Sequence, residues 1–181
     1  MDQTTPVFDY NIFLIGFMGT GKSTIARKLK AKLQMDYLEM DETIVQKQGM
    51  PIAEIFERYG EGYFRDLESS LLIELQSHQA SVISCGGGVI VRPENADHMK
   101  KHGRVVLLTA TPETVYNRVR DNTDRPILNN HMNVDYIRSL MEQRRERYEA
   151  AADLTVSTDR RTPAQICDVI ITGLKELDDR N

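Results

Sequence analysis

The sequence has 181 residues, 40% of them apolar and 28% charged, with a formal net charge of −4. These values describe an ordinary globular chain, read as one domain over residues 1–181 with a sizeable core. They exclude the basic signature of a nucleic-acid-binding protein, and no apolar run approaches the roughly 20 residues of a membrane-spanning helix.

Residues 1–10 are a mixed, acidic lead-in with no basic segment ahead of an apolar one. No signal peptide is expected, and the cytoplasm is the expected location. An apolar strand at residues 12–17 runs into GFMGTGKS at residues 16–23, a full match to the phosphate-binding P-loop pattern G-x-x-x-x-G-K-[ST]. Gly16, Gly19 and Gly21 allow the tight curl with which backbone N–H groups cradle a triphosphate. Lys22 is suited to the β- and γ-phosphates and the Ser23 hydroxyl to Mg²⁺. The helix starting near Lys22 turns its positive end toward the phosphates. Ile25, Leu29 and Leu33 carry that helix to about Gln34.

Residues 36–41 (DYLEMD) read as a second strand ending in Glu39 and Asp41, which alternation puts on one face. Asp41 is also expected to cap a helix over residues 42–48. Gly49-Met50-Pro51 stops that helix and starts another, and Gly60-Glu61-Gly62 breaks the chain again. A longer helix follows on Phe64, Leu67, Leu71, Leu72 and Leu75, with Arg65 and Glu68 beside the apolar stripe. Residues 81–85 (SVISC) form a short buried strand running into Gly86-Gly87-Gly88. Such a triplet implies a tight turn or close approach of the backbone to a ligand or another segment. Cys85 and Cys167, the two cysteines, lack metal-type spacing and fit a reduced protein.

Residues 93–102 read as helix and residues 104–109 (RVVLLT) as an apolar strand. Thr111-Pro112-Glu113 opens a helix carrying Val115, Arg118 and Val119. Residues 121–133 are polar and turn-rich, with Arg125 near the centre, and are read as a lid. A helix over residues 134–151 carries the basic cluster Arg144, Arg145 and Arg147. Residues 154–157 form a last strand, and Thr162-Pro163-Ala164-Gln165 a capping box that opens the final helix. Strands alternate with helices throughout, which argues a three-layer α/β fold: a parallel sheet with helices on both faces.

Taken together, these motifs resemble the shikimate kinase family. They are GFMGTGKST at residues 16–24, EMD at 39–41, IFERYGEGYFRDLE at 55–68, SCGGG at 84–88, DRPIL at 124–128, RRERY at 144–148 and DRRTP at 159–163. The P-loop is shared by very many proteins; G-E-x-x-F-R-x-x-E followed by a glycine triplet is far more specific. The resemblance spans roughly residues 11–174. It implies a small P-loop kinase of the nucleoside monophosphate kinase type, with a five-stranded parallel sheet and a closing lid. The implied reaction moves the γ-phosphoryl of ATP to the 3-hydroxyl of shikimate, in aromatic amino-acid biosynthesis.

The resemblance also implies roles. Gly19, Thr20, Gly21, Lys22, Ser23 and Thr24 bind the nucleotide phosphates. Arg65 and Arg144 hold the shikimate carboxylate, for which a forked guanidinium is suited. Asp41 orients the acceptor hydroxyls, Gly87 offers backbone N–H to the substrate, and Arg125 neutralises charge in transfer. Arg118 and Pro163 flank the adenine, with Arg161 near it. The family usually has Asp where this chain has Glu39; that carboxylate is expected near Mg²⁺ through water. Cofactor and partners are then Mg²⁺ and the small molecules ATP and shikimate, with no nucleic acid, no membrane and a monomeric chain. Competing readings are a gluconate, quinate or nucleotide kinase of the same fold, and a non-catalytic ATP-binding relative. A GTPase-type switch should show D-x-x-G and N-K-x-D, and neither occurs.

Overall fold

The structure, a computed structural model, describes residues 7–120 and 133–180. The predicted lid lies outside the described residues except for Asn133, whose side chain accepts from Tyr136 N at 2.9 Å and caps the helix that follows. Five parallel strands make one sheet: β1 (Asn11–Ile15), β2 (Asp36–Glu39), β3 (Ser81–Ser84), β4 (Gly103–Thr109) and β5 (Leu154–Ser157), in the spatial order β2-β3-β1-β4-β5. The helices are α1 (Lys22–Leu33), α2 (Met40–Gln48), α3 (Ile52–Glu74), α4 (Pro93–His102), α5 (Pro112–Val119), α6 (Val134–Ala151) and α7 (Pro163–Asp178).

Alternation along β1 decides which helices cover which face. Ile12 and Leu14 join Val82, Val106 and Leu108 in a core closed by α1 and α7. Phe13 and Ile15 join Ile83, Val105 and Leu107 in a core closed by α2, α3, α4 and α6. Each strand of the sheet's centre is apolar on both sides because both faces are covered. Chain direction changes at β1: the chain leaves it for β2 on one side, while β4 lies on the other. Ligands of such sheets bind at the carboxyl ends of the strands beside such a point. Here those ends are the P-loop, Glu39 and the glycine triplet.

One local expectation is corrected. Strand β2 ends at Glu39 rather than running to Asp41, and Asp41 does not cap α2 but sits in its first turn. The reason is Met40, whose side chain is fully buried; its insertion starts the helix two residues earlier than expected. Thr43 Oγ1 donates to the Glu39 carbonyl at 2.8 Å and holds that start. The expected break at residues 60–62 is present: two helical stretches of α3 meet across a kink at Gly60, φ 80° and ψ 171°, values open essentially to glycine alone. The capping box is present as expected: Thr162 accepts from Gln165 N, and the Gln165 side chain accepts from Thr162 N.

Candidate active site

The P-loop takes left-handed backbone values at Gly16 (φ 144°), Gly19 (φ 78°) and Gly21 (φ 96°), which side-chain-bearing residues rarely adopt. Thr20 Oγ1 donates to the Phe17 carbonyl at 2.8 Å and closes the loop. Lys22 opens α1 and is 9% exposed. Its ammonium donates to the carbonyls of Gly16 at 2.8 Å and Phe17 at 3.1 Å. No acidic side chain and no side-chain cap occupies the first turn of α1, so its N–H groups face outward for an anion.

A cavity of about 280 Å³ lies against this loop. Gly19, Gly21, Lys22, Ser23 and Thr24 line one side; Glu39, Asp41, Cys85 and Gly87 line the other, with Arg118 completing it. Glu39 and Asp41 come from different elements yet meet in this cavity, because the buried Met40 lies between them. Tyr37 donates its hydroxyl to Glu39 Oε2 at 3.1 Å, and the Ser23 and Ser84 hydroxyls lie 3.5 Å apart. Burial pushes the Glu39 carboxyl above its ordinary range, against hydrogen bonds from Ser23, Ser84 and Tyr37; nearby Asp41 raises it further. Burial also pushes the Cys85 thiol well up, which leaves it un-ionised and inert. Among the described residues no cluster of three or more His, Cys, Asp or Glu side chains could hold a metal by itself. One hydroxyl and one or two carboxylates fit a hard divalent ion that keeps water and takes phosphate as its remaining ligands.

Beyond Asp41, the glycine triplet makes room for side chains from α3. A methyl group built on Gly86 would collide with Glu68 Oε1 and lie 2.9 Å from Asp41 Oδ1; one built on Gly88 would collide with the Arg65 guanidinium. Arg65 is 5% exposed and Glu68 fully buried. Arg65 donates to Glu68 Oε2 at 2.6 Å and to Glu61 Oε1 at 2.7 Å. On the other side of the triplet, Arg144 of α6 lies over the Phe17 ring, 5.9 Å from its centroid. Its Nη1 reaches the Gly87 carbonyl at 3.4 Å. Two guanidiniums from separate helices thus converge on Gly87–Gly88, beside a carboxylate and the P-loop.

A family model described as shikimate kinase matches residues 18–175. A shikimate kinase from Enterococcus faecalis is 41% identical over 92% of this chain and 99% of its own. One from Sulfurihydrogenibium is 39% identical over 91% of this chain and 98% of its own. The chain belongs to the shikimate kinase family. Shikimate kinase from Acinetobacter baumannii, solved in complex with shikimate, superposes with a TM-score of 0.89 at 33% identity, covering 92% of this chain and 93% of that one. As a member of the family, the chain is an enzyme that phosphorylates shikimate with ATP, in the pathway to aromatic amino acids.

The other shikimate kinase residues named from sequence are less concentrated. Arg118 donates to the Gly19 carbonyl and to Thr158 Oγ1, each at 3.1 Å, tying the P-loop to the segment after β5. Pro163 is the first residue of α7, and Arg161 donates to the Ser157 carbonyl at 3.0 Å just before it. Neither lines the 280 Å³ cavity. Arg125 lies outside the described residues. Of the spare arginines, Arg145 pairs with Glu142 at 2.9 Å and Arg147 donates to the Val91 carbonyl at 3.1 Å. Sequence reasoning assigned no role to Ser84, Glu68 or Tyr148. The signal for Glu68 was its spacing of three from Arg65; for Tyr148 it was a spacing of four from Arg144.

Glu68 carries a pH dependence. Burial outweighs the attraction of Arg65 and pushes its carboxyl from 4.5 up to about 7. Between those two values the folded chain retains a proton that the unfolded chain has released. Stability therefore falls as pH rises through that window and is level above it. Glu68→Gln removes this slope, so the Tm of the variant relative to the parent chain is expected to rise from about pH 5 to about pH 7. A Tm difference independent of pH would mean that Glu68 stays ionised beside Arg65.

Proposed function

We propose that the residues gathered around Gly87 divide the reaction between a phosphate side and an acceptor side, with transfer to the 3-hydroxyl of shikimate. The convergence of Arg65 and Arg144 on Gly87–Gly88, next to Asp41 and across from Lys22, carries this reading. Shikimate is a carboxylate with neighbouring hydroxyls. Arg65 and Arg144 bind the carboxylate, bidentately where geometry allows. Glu68 holds Arg65 in place from behind. Asp41 accepts hydrogen bonds from the acceptor hydroxyls and orients the nucleophile, and Gly87 contributes backbone polarity to the same ligand.

On the other side, residues 19–24 wrap the phosphates of ATP and Lys22 bridges toward the transferred group. Phosphoryl transfer through a loose transition state depends on positioning and on charge compensation more than on a strong base. Lys22 supplies that charge, and Arg125 is assigned the same task from the sequence. Arg118, Arg161 and Pro163 are assigned to the adenine end. Ser23 and Glu39 would hold Mg²⁺, which when bound offsets charge on the β- and γ-phosphates. Glu39 is one methylene longer than the Asp usual at this position, and the Tyr37 hydroxyl restrains its carboxylate. The working unit in this reading is a monomeric single domain in the cytoplasm, with residues 121–133 as a lid.

The test is consumption of ATP by purified protein with Mg²⁺, using shikimate, quinate, gluconate and AMP as acceptors. Stoichiometric turnover with shikimate, and rates at least about 100-fold lower with the others, is the expected result: unpaired polar groups in a site built for a particular ligand penalise the wrong one. Comparable turnover with gluconate or AMP would overturn the acceptor assignments of Arg65 and Arg144. Nucleotide binding without transfer would favour a non-catalytic relative.

A further inference from the structure

Of the side chains in the RRERY segment besides Arg144, Tyr148 alone is buried. Tyr148 lies four residues after Arg144 on α6, and so on the same face one turn on. Its ring is 5% exposed, within the core formed with Val89 and Ile90 after the glycine triplet. Its hydroxyl donates to the carbonyl of Gly87. The same carbonyl is approached by Arg144 Nη1 at 3.4 Å, longer than an ordinary hydrogen bond. The carbonyl of Gly87 and the N–H of Gly88 belong to one planar peptide, so whatever holds the oxygen also sets the direction of the N–H. That peptide is in a crowded place. Cβ positions built on its two residues would come 3.3 Å from Met18 N, at Gly87, and against the Arg65 guanidinium, at Gly88.

We propose that Tyr148 is a positioning residue for the acceptor: it holds the Gly87 carbonyl so that Arg144 is released to the shikimate carboxylate and the 87–88 peptide keeps its orientation. The inference rests on the assignment of Arg65, Arg144 and Gly87 to the acceptor side. Two donors share one part-buried carbonyl before substrate arrives. When Arg144 turns to a carboxylate, the carbonyl keeps one donor instead of being left without a partner. Without the Tyr148 hydroxyl, engaging Arg144 would leave that carbonyl unpaired, and shikimate binding would carry the cost. Burial keeps the Tyr148 hydroxyl protonated by pushing its pKa up to about 12, against the lowering effect of Arg144; it remains a donor throughout the neutral range.

Tyr148→Phe removes the hydroxyl and keeps the ring in the core. Its KM for shikimate is expected to rise about fivefold, as for loss of one part-buried hydrogen bond, with KM for ATP within about twofold. The decisive comparison is with Arg144→Ala and with the double variant. Because Tyr148 acts through Arg144, Tyr148→Phe should add little once Arg144 is gone. A merely structural tyrosine would give an additive effect, or would raise both KM values alike, and either result overturns the proposal. A rise in Arg144→Ala with none in Tyr148→Phe overturns the role of Tyr148 alone; no rise in Arg144→Ala overturns the acceptor assignment beneath it. Should Tyr148→Phe fail to fold, the unmutated protein still decides the matter by NMR. The Tyr148 hydroxyl proton should exchange slowly and keep its resonance when shikimate is added, while the Arg144 Nε–H resonance shifts. Movement or loss of the hydroxyl resonance on shikimate binding would mean that Tyr148 releases the carbonyl.

Discussion

Lys22→Met is expected to lower kcat/KM by about 10³-fold or more, with Tm close to that of the parent chain. The scale is that of removing one preorganised charge aimed where charge develops in the transition state. The ammonium stands at the head of α1 with 9% exposure and is held by the Gly16 and Phe17 carbonyls. It is therefore already positioned by the loop that would receive the phosphates. Methionine fills nearly the same volume and leaves two carbonyls with one donor fewer, a cost of about 1 kcal/mol each. Relief from burying an ammonium offsets part of that. A coupled assay of ADP release and a thermal melt on the same preparation separate the two effects. Near-parent turnover would remove Lys22 from the chemistry; a collapsed Tm would show that the lysine is chiefly structural.

Arg65→Ala should have the second large effect, and it should be double. Loss of the guanidinium is expected to raise KM for shikimate about 100-fold with little change for ATP, because a charged partner of a carboxylate is lost. It also leaves Glu68, fully buried, without the cation that Nη1 presents at 2.6 Å. Breaking a buried pair destabilises by about 3–5 kcal/mol where the partner left behind stays charged; Glu68, already pushed up to about 7 beside Arg65, takes up a proton instead, and the loss falls below that range. The contact with Glu61 adds little to that figure, since Glu61 is 51% exposed at its side chain. The double variant Arg65→Ala/Glu68→Gln separates the roles: it should regain most of the Tm and none of the affinity for shikimate. Recovery of both would make Arg65 a structural arginine; equal losses for shikimate and ATP in the single variant would say the same.

Much of this architecture is legible in the sequence. The alternation of Ile12, Phe13, Leu14 and Ile15 is compatible with a strand buried on both faces, and the helices on either side follow from it. Thr111 with Pro112 and Thr162 with Gln165 mark helix starts that the structure contains. Local chemistry decides such features, so local sequence shows them. The departure is equally physical. Met40 looked like a strand residue between two carboxylates, but its burial beneath α3 is a tertiary fact and moved the start of α2. The break expected at residues 60–62 is there, and Gly60 alone makes it: its backbone leaves helical geometry and separates two helical stretches of α3. At the site, the P-loop is readable because its contacts are made within eight residues. The reason for the triplet was not readable. Gly86 and Gly88 are small to admit Glu68 and Arg65, some 20 residues earlier in the chain, and only the fold reveals which side chains come through. The Tyr148 contact with Gly87 has the same character.

The glycine triplet also constrains how acceptor choice in this chain could be altered by selection in the laboratory. Gly86 and Gly88 are occupied from one side by the α3 carboxylate and guanidinium, and the Cβ position at Gly87 faces Met18 N and the Gly16 carbonyl of the P-loop. A library randomised at residues 86–88 would therefore be dominated by members that disturb the nucleotide loop or expel Arg65, whatever acceptor was offered. Diversity placed at residues 65 and 144, proposed for the acceptor carboxylate, and at 68, which holds Arg65, would alter the acceptor side through side chains alone. New specificities should be recovered from those three positions, with the backbone between them left as it is.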